Sequence, residues 1–191
     1  MRHDWIALPL VAALCLPPHA PAVERAIDKE VVVPAPIQEV WQAWTTRAGI
    51  ESFFAPEAEI DARVGGAFHI HINPYAEPGM KGADDMRYMA LQAPTMLSFD
   101  WNAPPSLPEV RRQRTFVIVR LGAVDGGATR VTLHHTGWGN GGEWDRTYAY
   151  FERAWGNVLS NLKVRFESGR ARDWTEWLAQ MPGRPASSAT K

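Results

Sequence analysis

Cysteine is nearly absent from this sequence, because Cys15 is the only one among 191 residues. A single cysteine excludes an intrachain disulfide and a zinc site built from several thiolates. Cys15 also falls within an N-terminal segment that we expect to be removed. Leu14, directly before it, is a poor match to a lipid-attachment motif, so we do not interpret Cys15 as a lipid anchor. We therefore expect a mature chain without thiol chemistry.

An excess of charge of one sign is also lacking. The 20 Lys and Arg residues nearly balance the 21 Asp and Glu residues, which gives a net charge of -1. This balance provides no electrostatic reason to expect binding to nucleic acid or to an anionic membrane surface. The basic cluster of Arg111, Arg112 and Arg114 is interpreted as a solvated loop rather than as a phosphate site.

The sequence lacks an apolar run long enough to cross a membrane, which takes about 20 residues. The run from Trp5 to Leu16 instead has the length of the apolar region of a secretory signal peptide. Arg2 and His3 precede it, and Ala20-Pro21-Ala22 has the small-x-small form of a signal-peptidase site. We therefore predict a signal peptide over residues 1–22 and a periplasmic or secreted protein. If the segment is instead a retained extension, we expect a cytoplasmic protein.

Familiar catalytic motifs are missing, since no G-x-S-x-G, Walker A or H-E-x-x-H sequence occurs. Gly137, Gly139 and Gly142 do match G-x-G-x-x-G, which is typical of dinucleotide sites. However, this loop follows the last predicted strand rather than the first, and no strand follows its helix. Glu143 and Asp145 at the helix start would also repel a phosphate. We attribute the glycines to a sharp turn and expect no cofactor.

The histidines do not form a recognisable metal site. His69 and His71 lie two apart on a predicted strand, so they share a face, which we expect to point to solvent. A zinc site needs three or four ligands, and no third is near in sequence, so we expect no metal. His135 shares the inner face with Val131 and Leu133. There it either lines a cavity, where it can bond to a ligand or titrate, or is a core histidine bonded to a neighbour.

What the sequence does contain is a series of short strands followed by one long helix. Alternating runs bounded by Gly and Pro predict strands, and apolar residues three or four apart predict helices. The predicted strands cover 27–33, 85–93, 96–101, 114–124 and 128–136, and segment 62–72 is predicted as a Gly-Gly turn that leads into an alternating strand. The predicted helices cover 36–44, 45–54 and 143–168. Asp125-Gly126-Gly127 predicts a tight hairpin. Strands joined in this way form an antiparallel sheet, so the expected class is α+β.

The predicted helix from Glu143 to Ser168 carries one continuous apolar stripe. The stripe consists of Trp144, Tyr148, Phe151, Trp155, Val158, Leu162 and Phe166. Gly156 lies in mid-helix, where glycine costs roughly 1 kcal/mol relative to alanine. Either tight packing against another element or the wall of a ligand cavity would explain it. Beyond the helix, we expect a weak helical turn over 173–181 and a disordered tail over 182–191.

Six segments occur in the order found in one protein family. They are VPAPIQEVWQAWTT, GIESFF, VGGAF, APTMLSFDW, GGATRVTLHHTGW and AWGNVLSNLK. In these segments the chain resembles the START-like (SRPBCC) superfamily over about residues 26–168, and within it the bacterial branch named after the activator of heat-shock protein 90 ATPase. The chain departs from the family pattern at Thr46-Arg47 in place of Asp-Pro, at Phe53 in place of Trp and at Ala154 in place of Gly.

The resemblance implies a helix-grip fold, in which a curved antiparallel sheet wraps around a long C-terminal helix. The sheet would have about six or seven strands, and two short helices would follow the first strand. The domain would cover residues 25–168, between the signal peptide over 1–22 and a tail over 169–191.

The resemblance also implies a cavity between sheet and helix that binds an apolar small molecule, without a fixed catalytic set. The residues that we expect around it are Phe53, Phe54, Phe68, Phe99, Trp101, His135, Trp138, Tyr148, Phe151 and Trp155. We therefore expect a small-molecule binding protein with no defined protein partner. Two alternatives stay open: a cytosolic co-chaperone that stimulates a heat-shock ATPase, and a cyclase or lyase with His135 or Tyr148 as its acid–base group.

Overall fold

The computed structural model of the chain describes residues 24–185. The predicted signal peptide over residues 1–22 lies outside the described residues, as does the end of the predicted tail, residues 186–191. Among the helices of residues 24–185, none is both long and apolar enough to cross a membrane.

The described residues form eight strands and five α-helices. The strands are β1 (Ile27–Val33), β2 (Glu57–Ile60), β3 (Phe68–His71), β4 (Gly82–Ala83), β5 (Tyr88–Gln92), β6 (Met96–Trp101), β7 (Thr115–Val124) and β8 (Ala128–Thr136). The helices are α1 (Ile37–Thr45), α2 (Arg47–Glu51), α3 (Pro108–Arg111), α4 (Gly142–Ser168) and α5 (Thr175–Ala179). The predicted class is confirmed, because the long C-terminal helix α4 packs on a curved antiparallel sheet and two short helices follow β1.

The sheet is built from two antiparallel parts. One has the strand order β1-β8-β7-β6-β5, and the other has the order β2-β3-β4. Backbone hydrogen bonds between the two parts join them, since Phe68 donates to Met86 and Tyr88 donates to Gly66. The two parts therefore form one curved sheet surface that faces α4.

Two strands were missed by the prediction of six or seven. β2 has only Ala58 buried among its four residues, and β4 has two residues inside a segment rich in Gly and Pro. Neither is long enough to show an alternating pattern. Within 62–72 the predicted Gly-Gly turn is confirmed, since Gly65 has a φ of 76°, and the alternating strand after it begins at Phe68.

The hairpin between β7 and β8 is confirmed. Gly126 and Gly127 have φ values of 76° and 75°, in the left-handed region that glycine adopts without strain. The two strands then pair from Val124 with Ala128 to Phe116 with Thr136. This long pairing fixes which side chains of β8 face inward, and His135 is one of them.

The core lies between the sheet and α4. On β6, the inward-facing Leu97, Phe99 and Trp101 are buried and alternate with half-buried residues, which is the period-two pattern of a strand. On α4, a helical stripe that includes Phe151, Trp155 and Leu162 covers them. Burial of such large apolar side chains contributes roughly 1.5–3 kcal/mol each, so this contact supplies much of the stability.

The start of α4 differs from the predicted stripe. Trp144 packs against a separate small cluster of Ala103, Leu107 and Val110, which belongs to the loop and helix after β6.

A Cβ at Gly139 would collide with the Trp144 indole, so glycine is required there. Gly137, Gly141 and Gly142 have φ values of 88°, 73° and 53°, so the glycine loop lets the chain turn onto α4. Since β8 is antiparallel to both of its neighbours, the rejection of a dinucleotide-binding unit is confirmed.

Both explanations offered for Gly156 are wrong. The residue is exposed on α4, and a Cβ built on it would meet no atom within 4 Å. It therefore neither packs tightly against another element nor forms the wall of a cavity. The structure gives no reason for glycine at this position.

Residues 170–183, which we call the C-terminal segment, fold back onto the domain. The backbone N–H of Arg172 donates to the carbonyl of Ser52, and the backbone N–H of Leu178 in the short helix α5 donates to the carbonyl of Trp174, which precedes that helix. The amide of Asn73 donates to the carbonyl of Pro182 at 3.1 Å. The helical turn expected over 173–181 is confirmed in α5. Pro182 itself, expected in a disordered tail, instead contacts the domain.

Candidate functional site

Two grooves adjoin beneath the C-terminal segment. The polar groove, of about 550 Å³, lies between α4 and the C-terminal segment, with Phe54 and Ile72 on its floor. The apolar groove, of about 440 Å³, lies between the loops 73–83 and 101–105 and the side of α4. Ile72 and Tyr150 line both grooves, so the two grooves adjoin at these side chains.

The C-terminal segment forms one wall of each groove. Trp174 and Trp177 line the polar groove, and Met181 and Pro182 line the apolar groove. The indole N–H groups hold the wall in place, because Trp174 donates to the carbonyl of Glu51 at 2.6 Å and Trp177 donates to that of Ile72 at 3.0 Å. This wall was not predicted from the sequence, although Trp174, Trp177, Leu178 and Met181 have helical spacing that indicates an apolar face.

Arg111 holds together the loops around the apolar groove. Its guanidinium donates to the carbonyls of Ala103, Gly79 and Gly82 at 2.5, 2.6 and 2.8 Å, and to Asp84 at 3.1 Å. Burial lowers the pKa of Arg111, while the Asp84 carboxylate acts in the opposite direction. The interpretation of this cluster as a solvated loop is therefore wrong for Arg111, which ties residues 79–84 to residues 103–111.

The ten residues predicted around a cavity form one connected cluster of rings. Neighbouring ring centroids lie 4.1–6.4 Å apart. Phe54 lines the polar groove, and Trp101 and Phe151 line the apolar groove. The others pack in or against the core, with Phe53, Phe68, Phe99, His135 and Trp155 buried and Trp138 and Tyr148 half-buried. A single ligand cavity surrounded by all ten stays a prediction.

His135 is a fully bonded core histidine. The Trp155 indole N–H donates to Nδ1 of His135 at 2.8 Å. Because the indole can only donate, Nε2 carries the ring proton and donates to Oγ1 of Thr115 at 2.7 Å. The Thr115 hydroxyl in turn donates to the carbonyl of Trp101 at 3.3 Å. This series of hydrogen bonds fixes the tautomer of His135 and leaves neither of its ring nitrogens free.

Burial also removes His135 from acid–base chemistry near neutral pH. Desolvation, with a smaller contribution from the charge of His134, lowers the pKa of His135 from 6.5 to about 3. The residue has no exposed surface and lines neither groove. Its expected role as a ligand contact or acid–base group is therefore contradicted, and its alternative role as a bonded core histidine is what the structure shows.

Tyr148 and Trp138 lie away from both grooves, near the N-terminal end of β1. The Tyr148 hydroxyl donates to the carbonyl of Ala26 at 2.8 Å, and the Arg25 guanidinium stacks 4.1 Å from its ring centroid. The Trp138 indole donates to the carbonyl of His135 at 2.8 Å. Because the Tyr148 hydroxyl donates its proton to a carbonyl, it is poorly placed as an acid–base group for a ligand in either groove.

The histidines of β3 are paired with carboxylates across the strand pair. Nδ1 of His71 lies 2.7 Å from Glu57, and Nδ1 of His69 lies 3.2 Å from Glu59. Both imidazoles are half-buried rather than exposed to solvent as expected. Within residues 24–185 no group of three or more His, Cys, Asp or Glu side chains is arranged to hold a metal ion.

The polar groove has a positively charged lining. Arg153 and Arg172 line it together with Asn157, Ser160 and Asn161, and no Asp or Glu is among its lining residues. These residues were not predicted, because only the apolar stripe of α4 was considered in the sequence. The signal was present, since Arg153, Asn157 and Asn161 recur every four residues on a neighbouring face of the helix.

Tyr150 marks the junction of the two grooves. It is 41% exposed, and the partial burial of its phenol raises its pKa. The hydroxyl therefore stays protonated at physiological pH and can donate a hydrogen bond to a bound molecule. Its ring also packs edge-on against Phe151, with centroids 4.9 Å apart.

A curved antiparallel sheet wrapped on one long C-terminal helix defines the helix-grip, START-like class of protein. The sequence model of one family in this class, described as activator of Hsp90 ATPase homolog 1-like protein, matches residues 34–167. The chain belongs to this family, as its sequence motifs led us to expect.

Solved structures of other proteins share the fold at low sequence identity. The Aha1 dimer from Colwellia psychrerythraea is 20% identical, with a TM-score of 0.59 over 76% of this chain and 98% of that chain. PFC0360w, an HSP90 activator from Plasmodium falciparum, is 16% identical, with a TM-score of 0.57 over 78% and 99%. CalU16 from Micromonospora echinospora is 22% identical, with a TM-score of 0.57 over 82% and 83%. None of the curated proteins matches this sequence.

Proposed function

We propose that the protein binds an apolar or amphipathic small molecule in the two adjoining grooves. The observation that carries this proposal is the pair of adjoining grooves that share Ile72 and Tyr150 in their linings. Volumes of about 440 and 550 Å³ lie within the range of roughly 300–1,000 Å³ that small-molecule sites occupy.

The lining supports an apolar occupant. Trp101, Phe151 and three proline residues give the apolar groove rigid surfaces, and Met80 and Met181 are flexible side chains that adapt to the shape of a ligand. A mostly apolar wall with a few polar groups is typical of small-molecule sites. The function is thus proposed from the grooves and not from any catalytic residue.

A fluorescence titration with the neutral apolar dye Nile red tests the proposal. Ala76 is a half-buried residue of the apolar groove, and the Ala76→Trp substitution would fill the space beside it. We expect wild type to bind the dye and Ala76→Trp to bind at least about tenfold more weakly, because the ligand loses apolar contact. Ala149→Trp, at an exposed position of α4 outside both grooves, is the matched control. Equal weakening by both substitutions, or no binding to wild type, would overturn the proposal.

The second candidate is a co-chaperone that stimulates a heat-shock ATPase. The match to the activator family and the likeness to an HSP90 activator favour it. This role requires contact with the ATPase in a compartment that contains ATP. An ATPase assay with a purified 90-kDa heat-shock protein decides the point, since stimulation that persists in Ala76→Trp would establish a role independent of the grooves.

We further propose that the protein is exported to the periplasm or outside the cell. The support is the apolar run from Trp5 to Leu16, followed by the small-x-small site at Ala20-Pro21-Ala22. The intact mass of the protein purified from its own source tests this. A chain that begins at Val23 supports export and argues against the co-chaperone, whereas a chain that retains residues 1–22 would remove the argument for export.

A further inference from the structure

One face of α4 differs from its core stripe in charge and in surroundings. Tyr150, Arg153, Asn157 and Asn161 follow one another at intervals of three or four residues, and all four line the polar groove. Their side chains are polar, whereas those of the neighbouring stripe are almost all apolar. The groove thus has an array of hydrogen-bond donors along one wall, with a guanidinium near its middle.

Arg172 faces this wall from the C-terminal segment and is held in position. Its guanidinium stacks 4.7 Å from the ring centroid of Trp174, and Nη1 donates to Oδ1 of Asn161 at 2.6 Å. Its backbone N–H is bonded to the carbonyl of Ser52. A guanidinium has five N–H donors, so most of them remain available for a bound group. Because it is already ordered, little further side-chain entropy is lost when it binds an anion.

Neither Arg153 nor Arg172 is neutralised by a carboxylate. Among residues 24–185, no ion pair within 4.0 Å includes either of them. The lining of the polar groove contains no acidic residue, as described above. In contrast, the one cation that lines the apolar groove, Lys81, lies 3.8 Å from Glu57.

We propose that the polar groove is a subsite for an anionic head group, and that the ligand is a carboxylate amphiphile whose apolar body lies in the apolar groove. This inference rests on the proposed function and names its ligand class. Arg153 and Arg172 bind the carboxylate, the Tyr150 hydroxyl donates to it, and Ile72 contacts the first part of the apolar chain. Charge-assisted bonds to arginine are about twice as strong as neutral ones, so the head group decides which amphiphile binds.

The test compares two probes that differ only in the head group. Dodecanoate and 1-dodecanol are titrated, below the concentrations at which they form micelles, into wild type, Arg153→Gln and Arg172→Gln, with tryptophan fluorescence as the readout. We expect dodecanoate to bind wild type about tenfold more tightly than dodecanol, and each substitution to weaken dodecanoate about tenfold while dodecanol stays within about twofold.

Two further variants serve as controls. Arg120→Gln removes the same charge at an exposed position on β7, outside both grooves, so binding of either probe should be unchanged. Arg172→Lys keeps the charge near Trp174, so dodecanoate should bind more tightly than it does to Arg172→Gln. If Arg172→Lys bound dodecanoate as weakly as Arg172→Gln does, the electrostatic role of Arg172 would be contradicted.

The outcomes separate this inference from the proposed function. Equal affinity for both probes, or equal weakening of both by the arginine substitutions, would overturn the anionic subsite and leave a groove that binds apolar molecules. The same holds if Nile red binds but neither probe does. If neither probe nor Nile red binds wild type, both the inference and the proposed function are overturned.

Discussion

Helix α4 presents two faces that differ in how completely their polar atoms are satisfied. On the core face, Trp155 and His135 are buried and bonded to each other, and every ring nitrogen of His135 has a partner. On the groove face, Arg153 and Asn157 are exposed along a concave surface. The first arrangement gives rigidity and no reactive group, whereas the second leaves donors for a ligand. We infer that stability depends mainly on the core face and binding on the groove face.

The largest expected effect is that of Trp155→Ala. The substitution removes a buried indole and leaves Nδ1 of His135 without its donor, so we expect a loss of about 3–5 kcal/mol in the free energy of unfolding. Urea denaturation measures it. Trp177→Ala removes an indole that is 37% exposed and bonded only to the carbonyl of Ile72. A cost above about 1.5 kcal/mol for Trp177→Ala, or below that for Trp155→Ala, would break the comparison.

Arg111→Leu is expected to cost about 2–3 kcal/mol, because three carbonyls and Asp84 lose a charged donor. Unlike Trp155→Ala, this change should also weaken Nile red binding, since the loops that Arg111 ties together line the apolar groove. Arg112→Leu, at the exposed neighbouring position, is the control and should change neither quantity. Destabilisation without weaker dye binding would show that the groove does not depend on these loops.

Acid should destabilise the native protein through His135. Its pKa is lowered from 6.5 to about 3 on folding, so between these values the unfolded state binds a proton that the native state does not. Stability is therefore lost as the pH falls, by about 2 kcal/mol from pH 7 to pH 5. Urea denaturation at several pH values measures the slope. His135→Gln lacks the titrating group, so its stability should fall less over this range, and an identical slope would contradict the assignment.

Among these substitutions, Trp174→Ala is expected to have the smallest effect on stability. It should nevertheless weaken binding clearly. The substitution removes the stacking partner of Arg172 and the bond to the carbonyl of Glu51. We expect a cost of about 1 kcal/mol in stability and a roughly tenfold weaker affinity for dodecanoate. Glu176→Ala, at an exposed position of α5 outside both grooves, controls for changes in the C-terminal segment. Unchanged affinity in Trp174→Ala would show that this wall does not contribute to the site.

Strands and helices could be predicted from the sequence where apolar side chains alternate or recur at helical spacing. β6, β7, β8 and α4 were placed within a residue or so of their observed bounds, and the inward direction of His135 followed from its alternation with Leu133. The partners of His135 could not be predicted, because Thr115 and Trp155 are each twenty residues away along the chain. Such contacts depend on tertiary packing rather than on local pattern.

The C-terminal segment shows the same limit for the candidate site. Its indole N–H groups bond to backbone carbonyls more than 100 residues earlier in the chain, at Glu51 and Ile72. A backbone carbonyl is present at every residue, so no sequence feature marks these two as acceptors. The polar groove, which exists only because the segment folds back, was therefore not predictable, although its aromatic floor at Phe54 was.

Photochemical labelling tests the central claim most directly. A dodecanoate probe with a diazirine near the end of its chain would be bound to wild type, irradiated and mapped by peptide mass spectrometry. The account predicts labelling of residues that line the apolar groove, above all Met80 and Met181, and loss of this labelling in Ala76→Trp. Labelling that falls on the outer face of the sheet, or that persists in Ala76→Trp, would contradict a ligand site beneath the C-terminal segment.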